Sequence, residues 1–131
     1  MAEPIFHSFA AAPNKVAPFS HAVECDGLIQ LTGQMPTYPE DDAKPLPDGV
    51  EAQTRRVMEN LIIVLGELGL DLSHILSCRV YLTDFYRDYD VMNETYKSYF
   101  PADRLPARTC IGVTGLAREA LVEIDMVAKR P

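Results

Sequence analysis

Two stretches of three- and four-residue apolar spacing lie between stretches of alternation, and that order leaves few folds open. From about Val50 to Leu68, the residues Val57, Met58, Leu61, Val64, Leu65 and Leu68 make one apolar stripe, the mark of an amphipathic helix. Asp48 is placed to cap this helix and Gly69 to stop it. A second helix is predicted over roughly Arg87 to Tyr99, with Tyr89, Met92, Tyr96 and Tyr99 on one stripe; Pro101 and Pro106 close it off. Between the helices, Ile75 to Thr83 alternates. Leu76, Cys78, Val80 and Leu82 fall on one side, and Ser77, Arg79, Tyr81 and Thr83 on the other. Ahead of the first helix, Asp26-Gly27 separates Ala22-Val23 from Leu28 to Gly33, a strong hairpin signal. Residues 1–20 hold Pro4, Pro13 and Pro18 and read as mostly extended or loop. Gln34 to Gly49, with four prolines and Glu40-Asp41-Asp42, reads as an exposed loop. The order is β-β-α-β-α-β-β, an α+β fold with a mixed sheet and two helices on one face. At 131 residues the chain reads as one domain.

The last two strand segments carry the chemistry. In Pro106 to Val113, Thr109, Ile111 and Val113 share one face, and Arg108, Cys110 and Gly112 the other. In Leu121 to Val127, Val122, Ile124 and Met126 form an apolar face, while Glu123 and Asp125 point away from it. Read as a hairpin across Gly115 to Ala120, the pair has one core face. Its other face gathers an arginine, a thiol and a carboxylate that packing alone does not require. With the helices on the core side, Arg108, Cys110 and Glu123 are expected on the open face, near Leu28, Tyr81 and Val127. A half-apolar face with charges of this kind is not left bare to water. Self-association is therefore expected, with pockets between subunits.

The net charge of −7 argues against a nucleic-acid surface but leaves room for a small anion held by one arginine. No apolar run approaches the roughly 18 residues of a membrane span, and Met1 to Ala10 lacks the features of a signal peptide. Cys25, Cys78 and Cys110 are odd in number and far apart, which reads as reduced thiols in a cytoplasmic protein. His7, His21 and His74 show no metal-ligand spacing.

Six fragments in order then stand out: Ala17-Pro18-Phe19-Ser20-His21-Ala22-Val23; Leu31-Thr32-Gly33-Gln34-Met35-Pro36; Gln53-Thr54-Arg55 with Glu59-Asn60-Leu61; Val91-Met92-Asn93-Glu94-Thr95-Tyr96; Pro106-Ala107-Arg108-Thr109-Cys110; and Val122-Glu123-Ile124. Together they resemble the Rid family, the reactive intermediate deaminases, over nearly the whole chain. The resemblance implies a chorismate-mutase-like fold and a homotrimer with clefts between subunits. It implies hydrolysis of 2-aminoacrylate- or 2-iminopropanoate-type enamines and imines to 2-keto acids and ammonium, with no metal or organic cofactor. Other substrates in the family, such as aminomuconate or an aminoacrylate derivative, remain open, as does a non-catalytic trimer that binds small carboxylates.

Arg108 matches the arginine that holds the substrate carboxylate, a task suited to a planar guanidinium with parallel donors. Its structural alternative is an ion pair with Glu123 or Asp125. Glu123 can relay a proton to or from the attacking water, or simply pair with Arg108; Asp125 reads as solvated or inter-strand. Cys110 is open to three readings. A nucleophile needs a base, and no histidine is near in sequence; the resemblance implies a pocket lining; plain packing is the third. Gly33 lets backbone approach the bound acid, and Thr32 keeps a hydroxyl where the family often has serine. Asn93 matches a family asparagine near the cleft, or else bridges helix and strand. Phe19 stands where many family members have tyrosine, so the ring remains without the hydroxyl. One extra residue between Thr83 and Asn93, and the acidic loop at 36–49, are expected to reshape the cleft rim. The net charge weighs against the ribonuclease activity ascribed to some relatives.

Overall fold

The computed structural model describes residues 3–131. Met1 and Ala2, which open the segment read above for a signal peptide, lie outside the described residues. The elements in order are β1 (Ile5–His7), β2 (Ala22–Cys25), β3 (Leu28–Gln34), α1 (Gly49–Glu67), β4 (Ile75–Leu82), α2 (Phe85–Lys97), β5 (Ala107–Gly112) and β6 (Val122–Lys129). Short 3-10 turns cover Leu72–His74 and Ala117–Glu119. The strands form one mixed sheet in the order β1-β2-β3-β6-β4-β5. α1 packs on β3 and β6, and α2 packs on α1 and β4. The expected α+β layout with both helices on one face is what the chain adopts.

Local chemistry accounts for most of the elements. Asp26 and Gly27 both have positive φ, 53° and 80°, the turn whose twist suits a two-residue hairpin, and Cys25 pairs with Leu28 across it. In α1 the stripe Val57, Met58, Leu61, Val64 and Leu65 is fully buried. Gly69 ends the helix at φ 75°. Its N–H donates to the Gly66 carbonyl and that of Leu70 to the Leu65 carbonyl, a closure that depends on a left-handed residue. Asp48 stands at the N-cap, but its side chain makes no capping bond. Gln53 takes part instead, donating from Nε2 to the Pro47 carbonyl at 3.0 Å and accepting at Oε1 from the Leu121 N–H at 2.8 Å. α2 starts two residues earlier than expected because Asp84 caps it, accepting from the Arg87 N–H at 3.4 Å.

Three expectations are corrected. A strand, β1, precedes the hairpin and pairs antiparallel with β2. It escaped notice because its three residues lie beside Pro4 and leave Ile5 and Phe6 exposed. In β4 the register shifts between Ile75 and Ser77, so Ile75 turns inward and Leu76, assigned to the core side, is half exposed. The largest correction is that β5 and β6 are not a hairpin. β4 lies between them, parallel to β5 and antiparallel to β6. Arg108 is level with Cys78, and Cys110 with Val80; both partners are buried under the helices. Glu123 is level with Tyr81 and Asp125 with Arg79, on the other face. Arg108 and Cys110 therefore face the helix layer, whereas Glu123 lies on the open face, and the expected common face does not exist within one chain.

That open face carries Leu28, Arg79, Tyr81, Thr109, Ile111 and Val127 around a buried carboxylate. Asp125 accepts from Arg79 Nε at 2.9 Å and from the Tyr81 hydroxyl at 3.0 Å, so its inter-strand reading holds.

Candidate functional site

β5 is an edge strand with a neighbour on one side only, and its helix-facing residues meet α2. Arg108 Nη1 donates to Asn93 Oδ1 at 2.7 Å. The guanidinium carbon stands 5.1 Å from the ring centre of Tyr96 and 5.9 Å from that of Tyr89, within reach of a favourable cation–ring contact. Among the described residues no carboxylate pairs with Arg108. The ion pair with Glu123 or Asp125, weighed as the structural alternative for Arg108, is absent, since Glu123 is across the sheet and Asp125 is taken by Arg79. A neutral asparagine and two rings thus hold a cation whose charge is not compensated by the chain. Asn93 bridges helix to strand, the structural role weighed for it, and in doing so aims the arginine. A cavity of about 220 Å3 opens here, lined by Asn93, Tyr96, Lys97, Leu105, Pro106 and Arg108.

Cys110 follows on the same strand face, half-buried against the core. Burial pushes its thiol up, and the Arg108 charge only partly offsets this. Nothing here makes a thiolate, which a nucleophile needs. Cys78 is raised further, to about 11, mainly by burial.

The second group of residues lies on the open face. β3 is irregular between Leu31 and Gln34, and the irregularity presents Gly33 to Glu123. A methyl group added at Gly33 would meet Glu123 Oε2 and Cδ at 2.4 and 3.1 Å, so any larger residue here must push the carboxylate aside. Burial raises the Glu123 carboxyl above its ordinary value, and the Asp125 charge raises it further. A carboxyl shifted upward is a stronger proton acceptor, once ionised, than an ordinary one. Thr32 donates from Oγ1 to the Ser20 carbonyl, and its N–H donates to the His21 carbonyl at 3.0 Å. These bonds tie β3 to the segment that presents half-buried Phe19. His21 is itself buried and fixed, accepting at Nδ1 from the Phe9 N–H at 2.9 Å with Nε2 bonded to the Pro13 carbonyl at 2.8 Å.

The seven residues singled out from the sequence therefore form two groups. Arg108, Cys110 and Asn93 meet at the β5–α2 edge; Glu123, Gly33, Thr32 and the Phe19 segment meet on the open face. Sequence reasoning missed Tyr89, Tyr96 and Lys97 as neighbours of Arg108. Their spacing from Asn93 on one helix was the available signal, but the tyrosines had been assigned to packing. A cavity of about 710 Å3 between Ile62, Leu72, Leu76, Phe100 and Leu105 holds none of the seven. Among the described residues no cluster of three metal-ligating side chains occurs, no disulfide forms, and no helix is long and apolar enough to cross a membrane.

Comparison with known proteins gives the family. Residues 9–130 match the family model described as Endoribonuclease L-PSP. Protein DfrA of Myxococcus xanthus is 41% identical over 98% of this chain and 96% of its own length. A mouse protein named 2-iminobutanoate/2-iminopropanoate deaminase is 34% identical over 92% of this chain and 87% of its own. The crystal structure of YyfA from Yersinia pestis, described as of unknown function in the conserved Rid protein family, superposes with a TM-score of 0.90. It is 28% identical, covering 98% of this chain and all of that one. A match spanning nearly the whole chain, together with the shared fold, places this protein in the Endoribonuclease L-PSP family, among its RidA-like members.

Proposed function

We propose that the protein hydrolyses small reactive imines, of the 2-iminopropanoate type, to 2-keto acids and ammonium, in clefts between copies of a homotrimer. The observation that carries this reading is the Arg108 guanidinium, held by Asn93 at 2.7 Å and left without a carboxylate among the described residues. Such a group takes a substrate carboxylate through two parallel hydrogen bonds. The imine carbon is thereby fixed for attack, and positioning of this kind supplies much of the rate in reactions that already run in water.

Within one chain Glu123 is on the wrong face to serve that carbon. A cleft in which the β5–α2 edge of one copy meets the Gly33–Glu123 surface of the next reunites the two groups, and it covers the half-apolar open face as well. An enamine first takes a proton at carbon to become the imine. Water then adds to the imine carbon while Glu123 accepts its proton. The carboxyl returns that proton to nitrogen, giving a carbinolamine; Glu123 then takes the hydroxyl proton and passes it to the nitrogen as the carbon–oxygen double bond forms and the carbon–nitrogen bond breaks, so that nitrogen leaves as ammonia, which is protonated to ammonium. Cys110 and Thr32 line the cleft, and Phe19 closes it without a hydroxyl. The name of the mouse relative supports the reaction class.

The test is ammonium release from freshly generated 2-iminopropanoate. Wild type is expected to accelerate it and Arg108→Ala to abolish the gain. Equal rates with and without wild-type protein reject the reading, and a sedimentation mass near one chain rejects the shared cleft.

A further inference from the structure

The cavity beside Arg108 contains a second cation that simple imine hydrolysis leaves unused. Lys97, in the last turn of α2, lines the same cavity of about 220 Å3 as Arg108 and Asn93. Residues 93 and 97 are four apart on the helix and so share one face. The acid that engages Lys97 is Glu94, whose Oε1 is 3.0 Å from Nζ, with the two side chains 62% and 72% exposed. An ion pair so open to water contributes little and is readily exchanged for another anion. Arg108 has no acidic partner among the described residues at all. In a chain of net charge −7, two cations thus face one small cavity, and the single carboxylate among them can swing into solvent. The remaining wall, Tyr96, Leu105 and Pro106, is largely apolar and brings no competing charge to the two cations. The cavity is smaller than the range of about 300–1,000 Å3 usual for larger ligands, which suits a compact molecule.

We propose that this cavity selects imino acids with two carboxylates, the one next to the imine on Arg108 and the distal one on Lys97, where it displaces Glu94. The proposal rests on the reading of Arg108 as the carboxylate anchor of an imine hydrolase and adds the substrate class. The reaction is unchanged: water adds to the imine carbon, the carbon–nitrogen bond breaks, nitrogen leaves as ammonia, and the distal carboxylate takes no part in bond making. Its contribution is one more charge-assisted contact, which is stronger than a neutral one.

The experiment compares ammonium release from 2-iminosuccinate and 2-iminopropanoate, generated in place by amino-acid oxidases from aspartate and alanine. Wild type is expected to have the higher kcat/KM on the diacid imine. Lys97→Ala should lower the diacid-to-monoacid ratio about tenfold, the equivalent of roughly 1.4 kcal/mol. Lys97→Arg should restore most of it, and Glu94→Gln should raise it, because a competing anion is gone. A purely structural Lys97 would change both rates in proportion and leave Glu94→Gln silent; that pattern overturns the proposal. Turnover of the monoacid imine with none of the diacid also overturns it, while the hydrolase reading stands. If neither imine is turned over, the hydrolase reading fails, and calorimetry with malonate and acetate decides the cavity by itself. Tighter malonate binding that is lost in Lys97→Ala keeps the dianion site, and equal binding removes it.

Discussion

Replacing Gly33 by alanine tests the contact on which the open-face group depends. The new methyl carbon would stand 2.4 Å from Glu123 Oε2 and 3.3 Å from Cγ. Non-bonded heavy atoms sit at about 3.5 Å, so the carboxylate must retreat by roughly 1 Å. Gly33 is not among the positive-φ residues, so the effect is steric and not conformational. Misplacing a reacting group by about 1 Å costs on the order of 100-fold in rate, or about 2.7 kcal/mol in barrier. Stability should change less. Overpacking costs about 1–3 kcal/mol, and loss of glycine's freedom in the unfolded chain returns about 0.4–1 kcal/mol. The displaced atoms are also the tip of a flexible side chain. The assay measures kcat/KM for ammonium release beside the thermal midpoint. The expected result is a fall of about 100-fold with a midpoint shift of only a few degrees. Combining Gly33→Ala with Glu123→Asp, which withdraws the carboxylate by one methylene, should recover part of the loss. A folded Gly33→Ala protein with unaltered kcat/KM refutes the placement of Glu123 in the chemistry.

Two pH effects follow from the electrostatics. On the proposed chemistry Glu123 must be ionised to accept a proton, so activity falls as pH drops through a pKa raised by burial first and Asp125 second. Asp125→Asn removes the second cause, and the acid limb of kcat/KM should move to lower pH; a limb that stays in place or moves upward contradicts the assignment. Glu24 is held at about 2 against an ordinary 4.5, chiefly by its hydrogen bonds from Arg130 and less by His7, with burial opposing. As pH falls below about 4.5 the unfolded chain takes up this proton first, so urea stability should decline between about pH 4.5 and 2 and flatten in Glu24→Gln. An unchanged slope in the variant would place the acid sensitivity elsewhere.

What could be read from the sequence was what local periodicity and turn chemistry determine. The α1 stripe, the Asp26-Gly27 turn and the Gly69 stop all depend on residues within a few positions of one another. The pairing of β5 was lost because it is non-local. Chain order suggests joining it to β6, yet the helix between β4 and β5 already carries the signature of a parallel crossover. A parallel crossover aligns Arg108 with Cys78 and not beside Glu123. Face parity along β5 and β6 was correct; only the neighbour, and so the face, was wrong. Gly33, Arg108 and Glu123 were legible as candidates because glycine, arginine and glutamate at strand positions are unusual for packing. Their grouping was not, since Tyr89, Tyr96 and Lys97 reach Arg108 only through the packing of α2 on the sheet.

The placement of Arg108 and Glu123 on opposite sides of one sheet has a consequence for when activity can arise. A reaction that needs both groups on one molecule of substrate is closed to an isolated chain, however well folded. Synthesis and competence are then separate events, and when copies are scarce the second declines more steeply than the first. On the proposed shared cleft, two crippled chains, one lacking the guanidinium and the other the carboxylate, should still make an intact centre by meeting.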